Sequence, residues 1–220
     1  FRRVLFRSSL AGLAVTRLVP AISWNPPAAE TYGTVLGVGQ LNASAGGVAG
    51  ALGYTPGAGA VLGAGSNVLS VVFTPTDATM YATNVTNVTW VVNKAGLGIT
   101  ANNQSRLDGQ TNPALTFKYS GFVNGEDATV LTAQPVVTTT ATTNSPPGSY
   151  PIWISGASAA NYAISYTGGT LTVRAAPPVI ATQPISQTPV LGSRVTLGVV
   201  ARDRKSTRLN SSHVALSRMP

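Results

Sequence analysis

The side chains that most often carry catalysis are scarce in this chain of 220 residues. It contains no Cys, and its one His, His213, lies close to the last residue. Acid–base catalysis near neutral pH needs His, or a carboxylate or Lys with a shifted pKa. Glu126 and Asp127 are adjacent carboxylates, but they stand in the sequence VNGED, which is typical of a solvated turn. The inventory predicts no catalytic residues and a protein that is not an enzyme.

Metal ligands and phosphate-binding loops are equally poorly represented. Zinc sites use Cys or His, and residues 9–201 contain neither. Calcium takes six to eight oxygens, which Asp77 in TPTD or Asp108 in LDGQ cannot supply alone, so we expect both to cap turns. The Gly-rich stretches 36–47 and 53–65 lack the GK[ST] ending of a phosphate loop and are expected to form hairpin turns. The sequence therefore predicts no metal and no cofactor.

One aromatic residue, Trp153, is a candidate for ligand binding. In YPIWIS, residues 150–155, the alternation places Trp153 on the face opposite Tyr150, Ile152 and Ile154. An outward-facing indole is a flat apolar surface on which a sugar ring can stack. The competing interpretation is that Trp153 packs at a domain junction or in a second core face.

Four other aromatic residues are expected to be structural. Trp24 and Trp90 lie near the boundaries between repeats and are expected to pack there. Tyr81 and Tyr162 precede strands, and we expect their rings to be buried and their hydroxyls to bond the backbone, as in a tyrosine corner.

The charge is concentrated at the ends of the chain. Fourteen Lys and Arg oppose six Asp and Glu, for a formal net charge of +8. Residues 1–8 carry +3 and residues 202–220 carry +4, whereas residues 9–201 carry six basic against five acidic side chains. Nucleic acid binding needs clustered Lys and Arg, and a membrane helix needs about 18 or more apolar residues. The middle of the chain offers neither, so we expect neither nucleic acid binding nor membrane insertion.

The two ends also differ from the middle in character. The sequence DRKSTRLNSSHVA, within 202–220, resembles the conceptual translation of a sequencing adapter, and FRRVLFRS, residues 1–8, resembles its counterpart. We therefore interpret both ends as artefacts of assembly and leave them out of the fold prediction. A natural basic tail is the alternative, and a search of the source DNA for adapter sequence would decide between them.

Internal repetition organises the middle of the chain. Three stretches share an alternating apolar strand, one basic residue, a short linker and an Ile: LAVTRLVPAISW, WVVNKAGLGITA and LTVRAAPPVIAT. Their basic residues, Arg17, Lys94 and Arg174, are 77 and 80 positions apart. A repeat near 80 residues is long enough for a small domain of its own.

Each repeat has the pattern of β-structure. VLSVVF is a β-branched run, and LTFKYSG, residues 115–121, alternates apolar and polar side chains as half-buried antiparallel strands do. About seven short strands per repeat, with frequent turns, favour a β-sandwich. We predict an all-β fold of tandem Ig-like β-sandwich domains, without the disulfide of the antibody type because Cys is absent.

These stretches now carry a family resemblance. Residues 95–174 resemble an MBG domain of bacterial surface and secreted proteins, through ITANNQSRLDGQTNPALTFKYSGFVNGED and SPPGSYPIWISGASAANYAISYTGGTLTV. The segment departs from the pattern at LDG, residues 107–109, where many relatives have a Tyr-Gly pair, as TYG at 31–33 does here.

The flanking segments resemble related repeats. Residues 20–93 are similar to a bacterial Ig-like domain, through ISWNPPAAETYGTVLGVGQLNA and VLSVVFTPTDATMYATNV. Residues 177–201 resemble the truncated start of another Ig-like domain, and residues 9–19 the end of a preceding repeat.

The resemblance implies a non-catalytic structural, spacer or adhesive repeat module of a large bacterial protein that is secreted or on the cell surface. Its expected partners are neighbouring repeats of the same chain, with a surface polysaccharide or a host or cell-surface ligand as a further possibility. The short linkers LVPA, AGLG and AAPP should limit bending between repeats. The alternative is a carbohydrate-binding accessory module of a secreted polysaccharide-degrading enzyme.

Overall fold

The computed structural model describes residues 16–182 and the short segments 196–197, 200–202, 210–211 and 214–215. In this part of the chain the protein is all-β, with one turn of 3-10 helix at Ala128–Val130. The predicted all-β fold class is confirmed, with several sheets in a β-sandwich-like arrangement. The expectation for residues 1–8 lies outside the described residues.

The strands are β1 (Glu30–Thr31), β2 (Gly50–Thr55), β3 (Gly65–Pro75), β4 (Asn84–Asn93), β5 (Ala95–Ala101), β6 (Gln104–Leu107), β7 (Phe117–Ser120), β8 (Val136–Thr139), β9 (Gly148–Ser155), β10 (Tyr162–Thr167), β11 (Gly169–Arg174), β12 (Val179–Thr182), β13 (Thr196–Leu197), β14 (Val200–Arg202), β15 (Asn210–Ser211) and β16 (Val214–Ala215).

The first sheet has the order β1-β4-β3-β2, with β2, β3 and β4 antiparallel and the short β1 parallel to β4. The β-branched run predicted as a strand forms the middle of β3, where Leu69, Val71 and Phe73 are buried. The residues between them, such as Val72, face outward, because successive side chains of a strand point to opposite faces.

The second sheet has the order β10-β5-β7, with β5 at its centre. Every second residue of β5 is buried, beginning at Ala95 and including Leu97 and Ile99. Beside it, Gly121 has a φ of +110°, and a Cβ there would lie 2.3 Å from the carbonyl oxygen of Gly96. Only glycine fits this approach of two backbones.

The third sheet has the order β6-β11-β9-β8. Here β8, β9 and β11 are antiparallel, and β6 runs parallel to β11 along four residue pairs, from Gln104 opposite Leu171 to Leu107 opposite Arg174. The alternation predicted for residues 150–155 is confirmed, because Ile152 and its second neighbour are buried and the residues between them are exposed.

The chain divides into two compact units. Among the described residues, the first contains those up to residue 98 together with 119–135 and 156–165, and the second contains 99–118, 136–155 and those from residue 166 onward. Large aromatic side chains, including Trp90 and Phe73, fill the core of the first unit, whereas aliphatic side chains dominate the core of the second. The boundaries 20–93 and 95–174 expected from the linkers stay a prediction.

Beyond residue 176 the described strands are short. β12 lies within the region 177–201 that we interpret as the start of another Ig-like domain, and it pairs antiparallel with β14, which in turn pairs with β15. This interpretation stays a prediction, since much of that region lies outside the described residues. β15 and β16 lie within 202–220, where the sequence predicted no strand, because a pair of residues is too short to show a period. Of the segment 9–19, Leu18 forms an isolated parallel bridge with Tyr81.

Candidate functional site

Trp153 lies on β9 in the third sheet, and 49% of its surface is exposed. It faces away from the buried Ile152 and Ile154, so the outward orientation expected from the alternation is confirmed. Thr138 of β8 lies directly opposite Trp153, and the neighbouring Val136 is also largely exposed. The indole is therefore accessible on the sheet surface beside Thr138 and Val136, and its role in ligand binding stays a prediction.

Trp24 and Trp90 are buried in the first unit, as expected for structural residues. The Trp90 Nε1–H donates to the carbonyl oxygen of Ala28 at 2.9 Å, and the Trp24 Nε1–H donates to that of Gln40 at 2.9 Å. The Trp24 ring also meets the Tyr54 ring edge to face. Each buried indole thus has a partner for its one polar atom, which burial requires.

Tyr162 confirms the expected burial, and Tyr81 does so only in part. The Tyr162 side chain is 2% exposed, and its Oη accepts a hydrogen bond from the backbone N–H of Val123 at 3.1 Å. Tyr81 is half-buried. The resemblance between the sequences around these two residues therefore does not extend to equal burial.

Glu126 corrects the interpretation of VNGED as a solvated turn. The turn exists, since the Glu126 N–H donates to the carbonyl oxygen of Val123, but the Glu126 side chain is half-buried. Its Oε1 accepts from the Tyr32 hydroxyl and its Oε2 from the Tyr162 hydroxyl, each at 2.5 Å. The carboxylate thus joins two tyrosines that lie 130 positions apart in the chain. All three residues belong to the first unit.

The two tyrosines in this cluster have raised pKa values. Hydrogen bonding to Glu126 is the main cause for Tyr32, followed by burial, whereas burial is the main cause for Tyr162, followed by the same carboxylate. Both effects favour the neutral phenol, because a tyrosinate next to a carboxylate would be repelled and poorly solvated. The cluster therefore holds its protons instead of releasing them, which suits a structural contact better than proton transfer.

Asp77 and Asp127 are turn-capping residues, and the expectation for Asp77 is confirmed. The Asp77 Oδ1 accepts from the Thr79 N–H and hydroxyl and from the Met80 N–H. The Asp127 Oδ1 accepts from the Thr129 N–H and hydroxyl at the start of the 3-10 turn. Their pKa values are lowered, chiefly by the threonine hydroxyls that stabilise each carboxylate.

Asp108 and Arg106 lie in the second unit in a more buried setting than the sequence suggested. Both side chains are 6% exposed. The Arg106 guanidinium donates from Nε to Asn112 Oδ1 at 2.8 Å and from its terminal nitrogens to the carbonyl oxygens of Leu107 and Thr142. A buried arginine needs such partners because its charge and five N–H groups lose water on folding.

The described residues contain no group of three or more His, Cys, Asp or Glu side chains placed to hold a metal ion. Among the same residues, no helix has the length and apolar character needed to cross a membrane. Tyr32, Glu126 and Arg106 were missed as structural centres by sequence reasoning. The one signal in the sequence was TYG at 31–33, which matches a motif expected of the following repeat but was not assigned a partner.

The described residues form an all-β structure with several sheets in a β-sandwich-like arrangement, and comparison with known families adds one match. Residues 97–172 match the family described as MBG domain (YGX type), so this segment is an MBG-type domain, as its resemblance predicted. The family is a non-catalytic, repeat-type domain found in bacterial surface proteins. A search of curated proteins finds no match to the chain.

Proposed function

We propose that this chain is a non-catalytic spacer segment in the repeat array of a large bacterial protein that is secreted or displayed on the cell surface. One observation carries the proposal: an MBG-type domain adjoins a segment with the same terminal strand arrangement. In each, a short strand runs parallel to the last strand, with Glu30 opposite Val92 and Arg106 opposite Val173. Recurrence of one arrangement along a chain is the mark of a repeat protein.

The composition supports the same function. A chain without Cys folds outside the cell without oxidative help, and the 9% charged residues leave few groups for electrostatic recognition of partners. The partners of the segment are then the neighbouring repeats, and its contribution is to set the distance between the parts it connects.

The spacer function is tested by replacing residues 20–174 in the full-length protein with an unrelated pair of β-sandwich domains of equal length. Surface display and adhesion of the protein should be retained, because a spacer is defined by its length and not by its surface. Deletion of 20–174 without replacement is the matched control and should shorten the distance between the parts that the segment connects. Loss of adhesion in the equal-length replacement would contradict the proposal.

A second candidate function is carbohydrate binding at Trp153, and the half-exposed indole on β9 favours it. Sugar rings stack on flat aromatic faces, and the Thr138 hydroxyl opposite the indole is a hydrogen-bonding group on the same surface. This candidate makes the segment an adhesive or accessory module, and the spacer role does not require it.

Retention on a panel of immobilised polysaccharides tests this candidate. Trp153→Ala should lose retention while its unfolding midpoint stays unchanged, since the indole packs on the surface. Tyr166→Ala is the matched control, because Tyr166 is also a partly exposed aromatic residue on a strand. Equal retention of the wild type and Trp153→Ala would remove the candidate.

A further inference from the structure

We propose that the loop at residues 121–126 forms a socket for the Tyr-Gly turn of the repeat that precedes it in the chain. The Tyr-Gly turn is Thr31–Gly33, and the socket consists of Phe122, Val123, Glu126 and Tyr162. This inference rests on the spacer function proposed above and deepens it, because it names how one repeat of the array recognises the next. Turn and socket both lie in the first compact unit.

The polar part of the contact is a carboxylate shared by two phenols. Tyr32 from the preceding repeat and Tyr162 from the following one each donate to a different oxygen of Glu126 at 2.5 Å. Hydrogen bonds to a charged acceptor are about twice as strong as neutral ones. The two donors are buried, with Tyr32 8% exposed and Tyr162 2% exposed, whereas Glu126 is half-buried.

The apolar part of the contact is a row of aromatic rings. The Tyr32 ring meets the Tyr162 ring edge to face, with centroids 5.6 Å apart, and the Tyr162 ring meets the Phe122 ring in the same way at 5.5 Å. Edge-to-face pairs at these distances are favourable beyond the area they bury. The preceding repeat therefore contributes one ring to an aromatic cluster that the following repeat builds.

The glycine of the turn fits the socket because it has no side chain. Gly33 has a φ of +104°, and a Cβ at this position would lie 3.0 Å from Val123 Cγ2. Any other residue would strain the backbone and press on Val123. The pair Tyr-Gly is thus explained by two requirements, a phenol that reaches Glu126 and a backbone that approaches Val123.

A second contact joins the same two repeats. Asn161, the residue before Tyr162, accepts a hydrogen bond at Oδ1 from the Ala64 N–H at 3.0 Å. Its backbone oxygen also accepts from the Ala95 N–H at 3.0 Å, beside the linker. Ala95 belongs to the following repeat itself, so the contacts that join the two repeats are Ala64 with Asn161 and Tyr32 with Glu126.

The socket also discriminates between turns. In the MBG-type domain, Asp108 takes the place of Tyr32, since the Asp108 N–H donates to Arg174 O just as the Tyr32 N–H donates to Asn93 O, each at 2.8 Å. A carboxylate at this position would repel the carboxylate of Glu126. The socket therefore accepts a Tyr-Gly turn and rejects an Asp-Gly turn, which restricts the order in which such repeats can follow one another.

A double-mutant cycle on the full chain tests the socket. Tyr32→Phe and Glu126→Gln should each lower the folding equilibrium constant about tenfold or more. In the double variant, the fold-decrease in this constant should be smaller than the product of the two single fold-decreases. Tyr54→Phe with Glu126→Gln is the matched control, because the Tyr54 hydroxyl accepts from the Ala43 N–H within its own repeat. The control pair should be additive.

Amide exchange resolved by segment supplies the second measurement. Tyr32→Phe should speed exchange in residues 121–126 as well as around its own turn, and Tyr32→Asp should do so more strongly. An additive cycle, or exchange in 121–126 that Tyr32→Phe leaves unchanged, would overturn the socket while leaving the spacer function intact. Failure of the equal-length replacement, in contrast, would remove the spacer function without altering these couplings.

Discussion

The Tyr-Gly turn of the first unit and the Asp-Gly turn of the second have similar backbone geometry, but their side chains make different contacts. Each follows a short parallel strand, and each glycine has a positive φ, +104° at Gly33 and +75° at Gly109. Tyr32 joins an aromatic cluster, whereas the second turn lies beside the buried guanidinium of Arg106. Strand pairing thus sets the path of the chain, and one side chain decides what the turn contacts.

The same contrast runs through the two cores. In the first unit, buried indoles fill space and bond carbonyl oxygens, as Trp90 does with Ala28. In the second unit, aliphatic residues such as Ile152 and Leu171 fill the space, and Arg106 with Asn112 satisfies the carbonyl groups of residues 141 and 142. The two units therefore fill their cores with different chemistry.

The largest effect is expected from breaking the polar centre of the second unit. Arg106→Met removes the donors to Asn112 Oδ1 and two carbonyl oxygens, and it should lower the free energy of unfolding by about 3 kcal/mol. Urea unfolding measures this loss. Arg174→Met, at an exposed residue of the same sheet, is the control and should change it by less than about 0.5 kcal/mol. Equal stability of the two variants would contradict the role of Arg106 as the polar centre of the second unit.

An intermediate effect should separate the two glycines. Gly33→Ala combines a positive φ with pressure on Val123, so we expect a loss of about 2 kcal/mol in the free energy of unfolding. Gly109→Ala should cost about 1 kcal/mol through its positive φ. The difference between the two, measured by urea unfolding, reports the Val123 contact. Gly33→Ala combined with Val123→Ala should bring the cost of the alanine at 33 close to that at 109.

The smallest effect is a dependence on alkaline pH that originates in the first unit. Tyr32 and Tyr162 have pKa values above the ordinary value of 10.0, so the folded state holds their protons more tightly than the unfolded chain does. The stability they contribute is complete below about pH 10 and is lost as the pH rises through the raised pKa values. Unfolding midpoints at stepwise pH should fall less steeply above pH 10 in Tyr32→Phe/Tyr162→Phe. An identical slope of unfolding midpoint against pH in the wild type and this variant would contradict the contribution of the two tyrosines.

The sequence predicted those features that repeat over short distances. The alternation in 115–121 and 150–155 is confirmed residue by residue, because period two is visible within one strand. The turn cap at Asp77 is confirmed for the same reason, because the groups that donate to its carboxylate, on Thr79 and Met80, lie within three residues of it. The MBG-type domain followed from motifs spread over the segment.

The features that were missed depend on long-range contacts. Glu126 was interpreted as solvated because its neighbours form a turn, but its two hydrogen-bond donors, Tyr162 and Tyr32, lie 36 and 94 positions away. Asp108 and Arg106 are charged residues whose burial depends on which strands cover them. No local pattern records such contacts, because they arise only when the sheets pack.

The parallel pairing of β6 with β11 bears on how the MBG-type domain responds to tension. Gln104 and Arg174 lie at opposite ends of this pair, so opposed pulls that reach these two residues would slide the two strands past each other. All the hydrogen bonds along four residue pairs would then stretch together, instead of opening one after another as in a hairpin pulled from its end. β1 and β4 share the geometry over two pairs. Under a steady pull along the chain, the MBG-type domain should therefore outlast the repeat before it.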